Sequence, residues 1–423
     1  MFKSITGGVF TFFYLYSVQF VFVPGYIGTR ALIGILGAFY LWLDIVNHRL
    51  SKPILVRTIK YFKALIPIVI MSLVTMGING TGDAEFVKYL FSMILIFCGA
   101  YYIFIVLFRF GKYNLYGLID IIKYVVIAQM VISLAMFFIP SVRTAIMDIQ
   151  VMTIGGSEKT IEQTLAVRLV GFGSSFFGAG IINAFCLCMM SYKILTKKMT
   201  ASRMTIELFE YLFILLMGIF MSRITIVGLL MSLVMIIYAR RTNVANGLKK
   251  LLPAFLILVP LSFFVYFKTI ASNSEFEVLI NQGFELVISA SEGEGMESKS
   301  TNRLKEMYES YPSEISTYIF GDGYYSDPKG DGYYKHIDIG YFRLIYYFGV
   351  VGLLAYLFFQ YRIMDMMRES MALPRYMLII LFGLVLIFNL KGFADFAYLA
   401  LLFVFNELPS NYKIKFQTVD KHE

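Results

Sequence analysis

The sequence has little charge and few cysteines or histidines, and each scarcity excludes a class of protein. Of its 423 residues, 15% are charged and 58% are hydrophobic. A soluble domain usually carries about 25% charged residues, so the composition excludes an ordinary soluble protein. The chain has only three cysteines and three histidines. Because they show no metal-ligand or disulfide spacing, we expect no metal site, no disulfide framework and no cofactor.

Motifs for nucleotide binding and hydrolysis are also missing. The sequence contains no Walker motif, HExxH pair or GxSxG segment. Its glycine-rich segment 171–180 opens an apolar run, which favours close helix packing through small residues over phosphate binding. Basic cytoplasmic loops of a membrane protein explain the net charge of +9, so we predict no nucleic-acid partner.

Long apolar runs are what the sequence has instead. Runs of about 20 apolar residues can cross a bilayer as helices. We therefore predict an all-α polytopic membrane protein in contact with membrane lipids, with about twelve transmembrane helices. The candidate spans are residues 5–23, 27–46, 61–79, 86–108, 115–139, 169–192, 205–221, 224–239, 251–268, 341–361, 376–390 and 393–407.

These spans divide the chain into four parts. Residues 1–268 hold nine spans and a smaller outer loop at 140–168. A large, partly helical outer loop follows at 269–340, then the last three spans within 341–408 and a tail at 409–423. With this count, the most basic connections and both termini fall on one side of the membrane. The positive-inside rule makes that side the cytoplasm.

The apolar run 205–239 contains Arg223 and is predicted to form two helices. As one helix it would be about 52 Å long, well beyond a hydrocarbon core of about 30 Å. Two short helices also keep the basic segments 193–203 and 240–250 on the same side. We expect Ser222 and Arg223 at the outer turn of a helical hairpin.

The long loop 269–340 is expected to hold structure of its own. Residues 300–311 predict a short surface helix. The pentapeptide Gly-Asp-Gly-Tyr-Tyr occurs at 321–325 and again at 330–334, with a predicted turn at 326–329. The pattern favours a tyrosine-rich hairpin; the alternative is a platform on which sugar rings stack. The tyrosines concerned are Tyr324, Tyr325, Tyr333 and Tyr334.

Arg168, Arg223 and Arg343 are expected at the outer face, where the positive-inside rule disfavours arginine. They either extend to lipid headgroups or share an anionic ligand such as a lipid-linked pyrophosphate, which suits their planar donors. Nearby, Asp338 and His336 could accept a proton from an attacking hydroxyl. The alternatives are an ion pair between Asp338 and Arg343, and a solvated histidine.

Three stretches resemble the Wzy-type O-antigen polymerases, within the superfamily of O-antigen polymerases and ligases. They are RLVGFGSSFFGAGIINAF from Arg168, SRIT around Arg223, and the GDG and DIGYFRLIYYFGVVGLLAYL that end the long loop and open the next span. The related ligases have a histidine eleven residues before the first glycine of a Gly-x-x-Gly turn in the last stretch. Asp338 stands there in this chain and His336 two residues earlier, a departure that favours a polymerase.

The resemblance implies a GT-C-like membrane glycosyltransferase in the bacterial inner membrane, with its active site facing the periplasm. Its substrate would be an oligosaccharide on undecaprenyl pyrophosphate, and a chain-length regulator protein is a candidate partner. The enzyme would transfer the growing glycan onto the non-reducing end of a new lipid-linked unit, without metal or nucleotide. On this interpretation Arg168, Arg223 and Arg343 would hold the pyrophosphate and stabilise its developing charge, and Asp338 would be the catalytic base. His336 and the four tyrosines are further candidates for substrate binding.

Other functions stay open on the sequence alone. An O-antigen ligase would need a lipid A–core acceptor and would make no polymer from lipid-linked units. A flippase would transport the same lipid-linked oligosaccharide; transporters usually show internal repeats and broken mid-membrane helices, and no repeat is evident here. A membrane scaffold is a third alternative.

Overall fold

The computed structural model describes residues 2–23, 27–109, 113–151, 168–174, 176–240, 282–283, 285, 299–330 and 332–405. Regular structure in these residues is helical, with isolated bridges between Phe20 and Gln150 and between Ser326 and Tyr333. The helices are α1 (Phe2–Tyr16), α2 (Thr29–Val46), α3 (Lys52–Asn79), α4 (Glu85–Arg109), α5 (Leu115–Phe138), α6 (Pro140–Ile149), α7 (Phe176–Thr196), α8 (Ala201–Met221), α9 (Thr225–Arg240), α10 (Lys299–Glu309), α11 (Ile315–Phe320), α12 (Gly340–Met371), α13 (Arg375–Asn389) and α14 (Ala397–Leu401).

Seven of the described helices are long and apolar enough to cross a membrane, as expected of a multi-pass membrane protein. They are α2, α3, α4, α5, α7, α8 and α12. The all-helical, polytopic class is therefore confirmed, while the count of twelve spans stays a prediction. The predicted span 251–268 lies outside the described residues. Within 393–407, the described helix α14 has only 5 residues.

The chain folds as two compact units. The first comprises Met1–Ser17, Ile27–Leu118 and Ser310–Glu423, and the second comprises Val18–Tyr26 and Ile119–Glu309. Each unit thus combines segments that are distant in sequence, and the division falls within α5.

Glycines on α2 allow it to pack directly on α4 in the first unit. A methyl group at Gly34 would lie 2.5 Å from the carbonyl oxygen of Leu95, and one at Gly37 would lie 1.8 Å from that of Cys98. The two helices therefore pack backbone to backbone, as small residues permit in membrane proteins. A larger residue at either position would force them apart.

Helix α7 lies at the centre of the second unit and is buried along nearly its whole length. A methyl group at Gly228 of α9 would lie 2.5 Å from the Cα atom of Ala184 in α7. One at Gly180 of α7 would lie 2.3 Å from the side chain of Ile224. Gly180, the last residue of the glycine-rich segment, thus packs closely on the turn at 222–224 rather than on a helix.

The run 205–239 forms two helices, as predicted. Helix α8 ends at Met221 and α9 begins at Thr225. The carbonyl oxygen of Gly218 accepts the hydroxyl hydrogen of Thr225 at 3.0 Å, which joins the two helix ends across the turn. Arg223 therefore stands in the turn of the hairpin.

A buried network of charges lies near the start of α8. Lys123 and Lys193 donate to Oε1 of Glu207 at 3.1 and 2.7 Å. Lys193 also pairs with Asp120, and Lys123 pairs with Glu210 at 2.5 Å. The sequence places Lys193 in a basic connection, but it is buried at the end of α7. Mutual hydrogen bonding offsets part of the cost of removing these charges from water, so we interpret the network as structural.

Candidate functional site

A break in α12 provides the attachment point for the candidate site of the first unit. Gly349 has φ +70°, outside the helical range. Beside the break, the carbonyl oxygens of Tyr346 and Tyr347 accept the N–H groups of Asp322 and Gly323 at 2.6 and 3.1 Å. The end of the long loop is thereby bonded directly to the backbone of a membrane helix.

The first Gly-Asp-Gly-Tyr-Tyr copy fits against its neighbours so closely that glycine is required. Gly321 has φ +72°, and a methyl group there would lie 2.4 Å from the carbonyl oxygen of Tyr347. Gly323 has φ +75°, and a methyl group there would lie 2.7 Å from Oγ1 of Thr81. That hydroxyl donates to the carbonyl of Gly323 at 2.9 Å. Only glycine combines this backbone conformation with this lack of space.

Asp83, between α3 and α4, also holds the loop. Its Oδ2 atom accepts the N–H groups of Tyr325 at 2.8 Å and of Ser326 at 3.0 Å. Its Oδ1 atom accepts the N–H of Glu85 at 3.0 Å, at the start of α4. Asp83 is not among the site residues predicted from the sequence. An aspartate just before an apolar helix is a common capping signal, and that signal could have identified it.

The structure confirms the predicted hairpin, and the two tyrosine dipeptides face each other across it. Ser326 pairs with Tyr333, and the N–H of Tyr334 donates to the carbonyl of Tyr325 at 3.2 Å. The rings of Tyr324 and Tyr334 stack with centroids 5.4 Å apart. The rings of Tyr325 and Tyr333 meet edge to face at 6.4 Å. Each pair therefore contains one ring from each copy of the pentapeptide.

Arg343 lies against the second of these pairs. Its guanidinium carbon is 3.5 Å from the ring centroid of Tyr333 and 4.3 Å from that of Tyr325, within cation–π range. Nη1 of Arg343 lies 3.6 Å from Oδ1 of Asp338; the arginine side chain is 7% exposed and the aspartate side chain 57%. The ion pair between Asp338 and Arg343, given above as the alternative to a proton-accepting role for Asp338, is therefore present. We call Tyr325, Tyr333, Asp338 and Arg343 the Arg343 cluster.

Backbone strain lies directly before Asp338. Lys335 and His336 have φ +54° and +57°, a left-handed conformation that is unfavourable for residues other than glycine. The ammonium of Lys335 lies 4.4 Å from the ring centroid of Tyr346 and 3.4 Å from Oδ2 of Asp322. These contacts hold the strained turn in place. The exposed His336 lies in this turn, two residues before Asp338 in the sequence.

Both pairs include a tyrosine whose pKa is raised. Burial raises the pKa of Tyr325, although the charge of Arg343 opposes this effect. Burial, together with the charge of Asp322, also raises the pKa of Tyr334. Both phenols therefore stay protonated near neutral pH and keep a hydroxyl hydrogen to donate.

In the second unit, Arg168 and Arg223 contact residues that lie three positions apart in the sequence, Gln282 and Glu285. Burial lowers the pKa of Arg168, the charge of Arg223 lowers it further, and the charge of Glu285 opposes this shift. Nη1 of Arg223 lies 2.9 Å from Oε2 of Glu285. With its amide oxygen turned toward Arg168, Gln282 accepts hydrogen bonds from Nε at 3.2 Å and Nη2 at 2.9 Å. Both arginines thus contact the described residues around Glu285.

The predicted site residues are therefore distributed over both units. The first unit contains Tyr324, Tyr325, Tyr333, Tyr334, His336, Asp338 and Arg343, and the second contains Arg168 and Arg223. A single ligand shared by all three arginines stays a prediction. Among the described residues, no group of three or more His, Cys, Asp and Glu side chains is arranged to hold a metal ion.

The long apolar helices and the charged residues beside their breaks and turns are features of a multi-pass membrane protein with polar sites at helix ends. Comparison with known protein families, curated proteins and solved structures gives no match to this chain. The case for a function therefore rests on the chemistry of these residues and on the resemblance of its motifs.

Proposed function

We propose that this protein is a membrane glycosyltransferase of the Wzy type, which polymerises lipid-linked oligosaccharide repeat units. The observation that carries the proposal is the Arg343 cluster. In it, the exposed carboxylate of Asp338 lies 3.6 Å from a buried guanidinium, on a loop bonded to an apolar helix. Such a carboxylate is accessible to a sugar hydroxyl and is held by its neighbour, as a general base requires.

In the proposed reaction, a hydroxyl at the non-reducing end of the new repeat unit attacks the anomeric carbon of the growing glycan. The bond from that carbon to undecaprenyl pyrophosphate breaks, and the pyrophosphate leaves with the bonding electrons. Asp338 accepts the hydroxyl proton as the new glycosidic bond forms. Because pyrophosphate is already a good leaving group, the step uses neither metal nor nucleotide.

Arg168 and Arg223 are proposed to bind the pyrophosphate. Their contacts with Gln282 and Glu285, which lie three residues apart in the sequence, support this role. Planar guanidinium groups bind phosphate oxygens through parallel hydrogen bonds, and fixed cations stabilise the charge that develops on the leaving group. Arg343 is largely buried, which supports a role in holding Asp338 in addition to binding substrate.

The finer topology belongs to the same proposal. It comprises about twelve spans in a GT-C-like arrangement in the bacterial inner membrane, with both termini cytoplasmic and the candidate sites periplasmic. The distribution of basic residues between the apolar runs supports this orientation. A chain-length regulator protein is the proposed partner.

The decisive experiment uses purified protein in lipid vesicles with a lipid-linked repeat unit as the only substrate. The wild type should produce a ladder of polymers, and Asp338→Asn should reduce the rate by about 10²- to 10⁴-fold, the usual contribution of a general base. Glu314→Gln, which changes another exposed carboxylate of the same loop, is the control and should leave the ladder intact.

The alternative functions predict different products. A ligase would form a product only after lipid A–core is added, and a flippase would move the substrate across the membrane without a new glycosidic bond. Either result would overturn the proposal. An unchanged ladder with Asp338→Asn would remove Asp338 from the mechanism.

A further inference from the structure

A cavity of about 290 Å³ in the first unit adjoins the Arg343 cluster, with which it shares Tyr325. One wall is aromatic and consists of Phe86, Tyr325 and Phe393. Their ring centroids lie 5.4 to 6.2 Å apart. Because these rings already pack on one another, little freedom remains to be lost when a ligand binds.

The side of the cavity along α4 also contains polar and charged residues. Glu85, Lys88 and Ser92 line the cavity, and their spacing of three and seven residues puts them on one face of the helix. Tyr89 also lines it, with its ring packed on Phe86 and Phe393 of the aromatic wall. Nζ of Lys88 lies 2.6 Å from Oε1 of Glu85. An otherwise apolar helix therefore begins with a polar stripe that faces a set of aromatic rings.

This combination fits a carbohydrate ring better than an anion or a lipid chain. The charges of Glu85 and Lys88 cancel, so the cavity has no excess charge to attract a phosphate. Each sugar hydroxyl both donates and accepts hydrogen bonds, which matches a carboxylate, an ammonium and the hydroxyl of Ser92. The apolar face of a pyranose can cover aromatic rings. An acyl chain would leave the polar stripe unmatched.

The size of the cavity limits the ligand. Small-molecule sites usually begin at about 300 Å³, so this cavity accepts a single ring rather than an oligosaccharide. We infer that it binds one neutral pyranose ring of the glycan, held beside the residues that position Asp338. The identity of that glycan rests on the proposed function, whereas binding of a free sugar does not.

Saturation-transfer NMR on the full-length protein in lipid nanodiscs tests this inference. The probes are free glucose, galactose, mannose, N-acetylglucosamine and N-acetylgalactosamine, and sugar-based detergents are avoided because they would compete. At least one sugar should receive saturation from the wild type. Ser92→Phe, which fills the cavity from an exposed position, should remove the signal. Phe91→Ala, at the adjacent position outside the cavity lining, should not.

Glu85→Gln keeps the shape of the polar stripe but removes one charge, and should weaken the signal even if Ser92→Phe fails to fold. No transfer to any of these sugars, or equal transfer in all variants, would overturn the inference. The two proposals fail separately. Sugar binding without polymer formation would refute only the polymerase, and polymer formation without sugar binding would refute only the cavity.

Discussion

The two copies of Gly-Asp-Gly-Tyr-Tyr have the same sequence but different surroundings. In the first copy, a methyl group at Gly321 would lie 2.4 Å from a backbone oxygen, whereas a methyl group at Gly330 or Gly332 of the second copy would meet no atom within 4 Å. All of these glycines have positive φ. Backbone conformation alone calls for glycine in the second copy, while both conformation and space call for it in the first.

The two tyrosines that contact Arg343, one from each copy, also differ in their surroundings. Tyr325 of the first copy packs on Phe86, Tyr347 and Phe393. Tyr333 of the second copy is 43% exposed. The first copy therefore attaches the loop to the helices through its backbone, whereas the second copy contacts α12 through side chains, Tyr333 against Arg343 and Tyr334 against Tyr346. Neighbouring structure, rather than the repeated sequence, gives each copy its role.

The largest difference between the two copies is expected when their first glycines, Gly321 and Gly330, are each replaced by alanine. A left-handed backbone costs a residue with a side chain about 1–2 kcal/mol, and overpacking adds about 1–3 kcal/mol. Gly321→Ala should therefore destabilise the attached loop by about 2–5 kcal/mol, and Gly330→Ala by only about 1–2 kcal/mol. Hydrogen exchange of peptides covering 321–339 measures this difference. Equal exchange in the two variants would contradict the comparison.

The next largest difference in hydrogen exchange is expected between alanine variants of Asp83 and Asp327, two aspartates that accept N–H groups of the hairpin. Asp83 accepts two, from the last residue of the first copy at 2.8 Å and from Ser326 after it at 3.0 Å. Asp327 accepts one from Lys329 at 2.8 Å in the exposed turn. A hydrogen bond to a charged acceptor contributes about 1.5–3 kcal/mol to stability. Asp83→Ala should therefore accelerate amide hydrogen exchange at Tyr325 and Ser326. Asp327→Ala is the control, and a larger effect there would reverse the assignment.

The sequence predicted those features that depend on local pattern. The length of the apolar runs predicted the long helices. The length of the run 205–239, together with the basic segments on either side of it, predicted its division at Ser222 and Arg223. The surface helix predicted at 300–311 is α10, Lys299–Glu309. The turn residues 326–329 predicted the hairpin. In each case the pattern that predicts the feature lies within one short segment of the sequence.

Features that depend on distant neighbours were not predicted. The span predicted at 61–79 begins at Lys52 as a helix, because hydropathy identifies the membrane-crossing part and not the helix end. Burial of Lys193 depends on Asp120 and Glu207, which lie on other helices. The contact of Arg343 with both tyrosines requires the hairpin register. None of these can be read from composition.

Arg343 contacts one tyrosine from each copy, so Arg343→Lys should loosen the connection between them. Lysine keeps the charge but loses the planar surface that stacks on rings, and the expected loss is about 0.5–2 kcal/mol. Exchange should increase around Tyr333 and Asp338 while the first copy stays protected. The control is Arg362→Lys on the same helix, where the arginine pairs with Asp365 at 3.7 Å. Uniform loosening of the whole loop would instead indicate that Arg343 attaches both copies.

The smallest effect concerns the tyrosine pairs themselves and is best measured by double-mutant cycles with alanine. Tyr324 and Tyr334 stack directly, so their coupling should be about 0.5–1.5 kcal/mol, as for an isolated aromatic pair. Tyr325 and Tyr333 meet at a wider distance and share Arg343. Their coupling should therefore decrease when the cycle is repeated with Arg343→Lys, while that of the first pair stays constant. If both couplings respond equally, Arg343 acts on the hairpin as a whole, and the two pairs are one structural element rather than two.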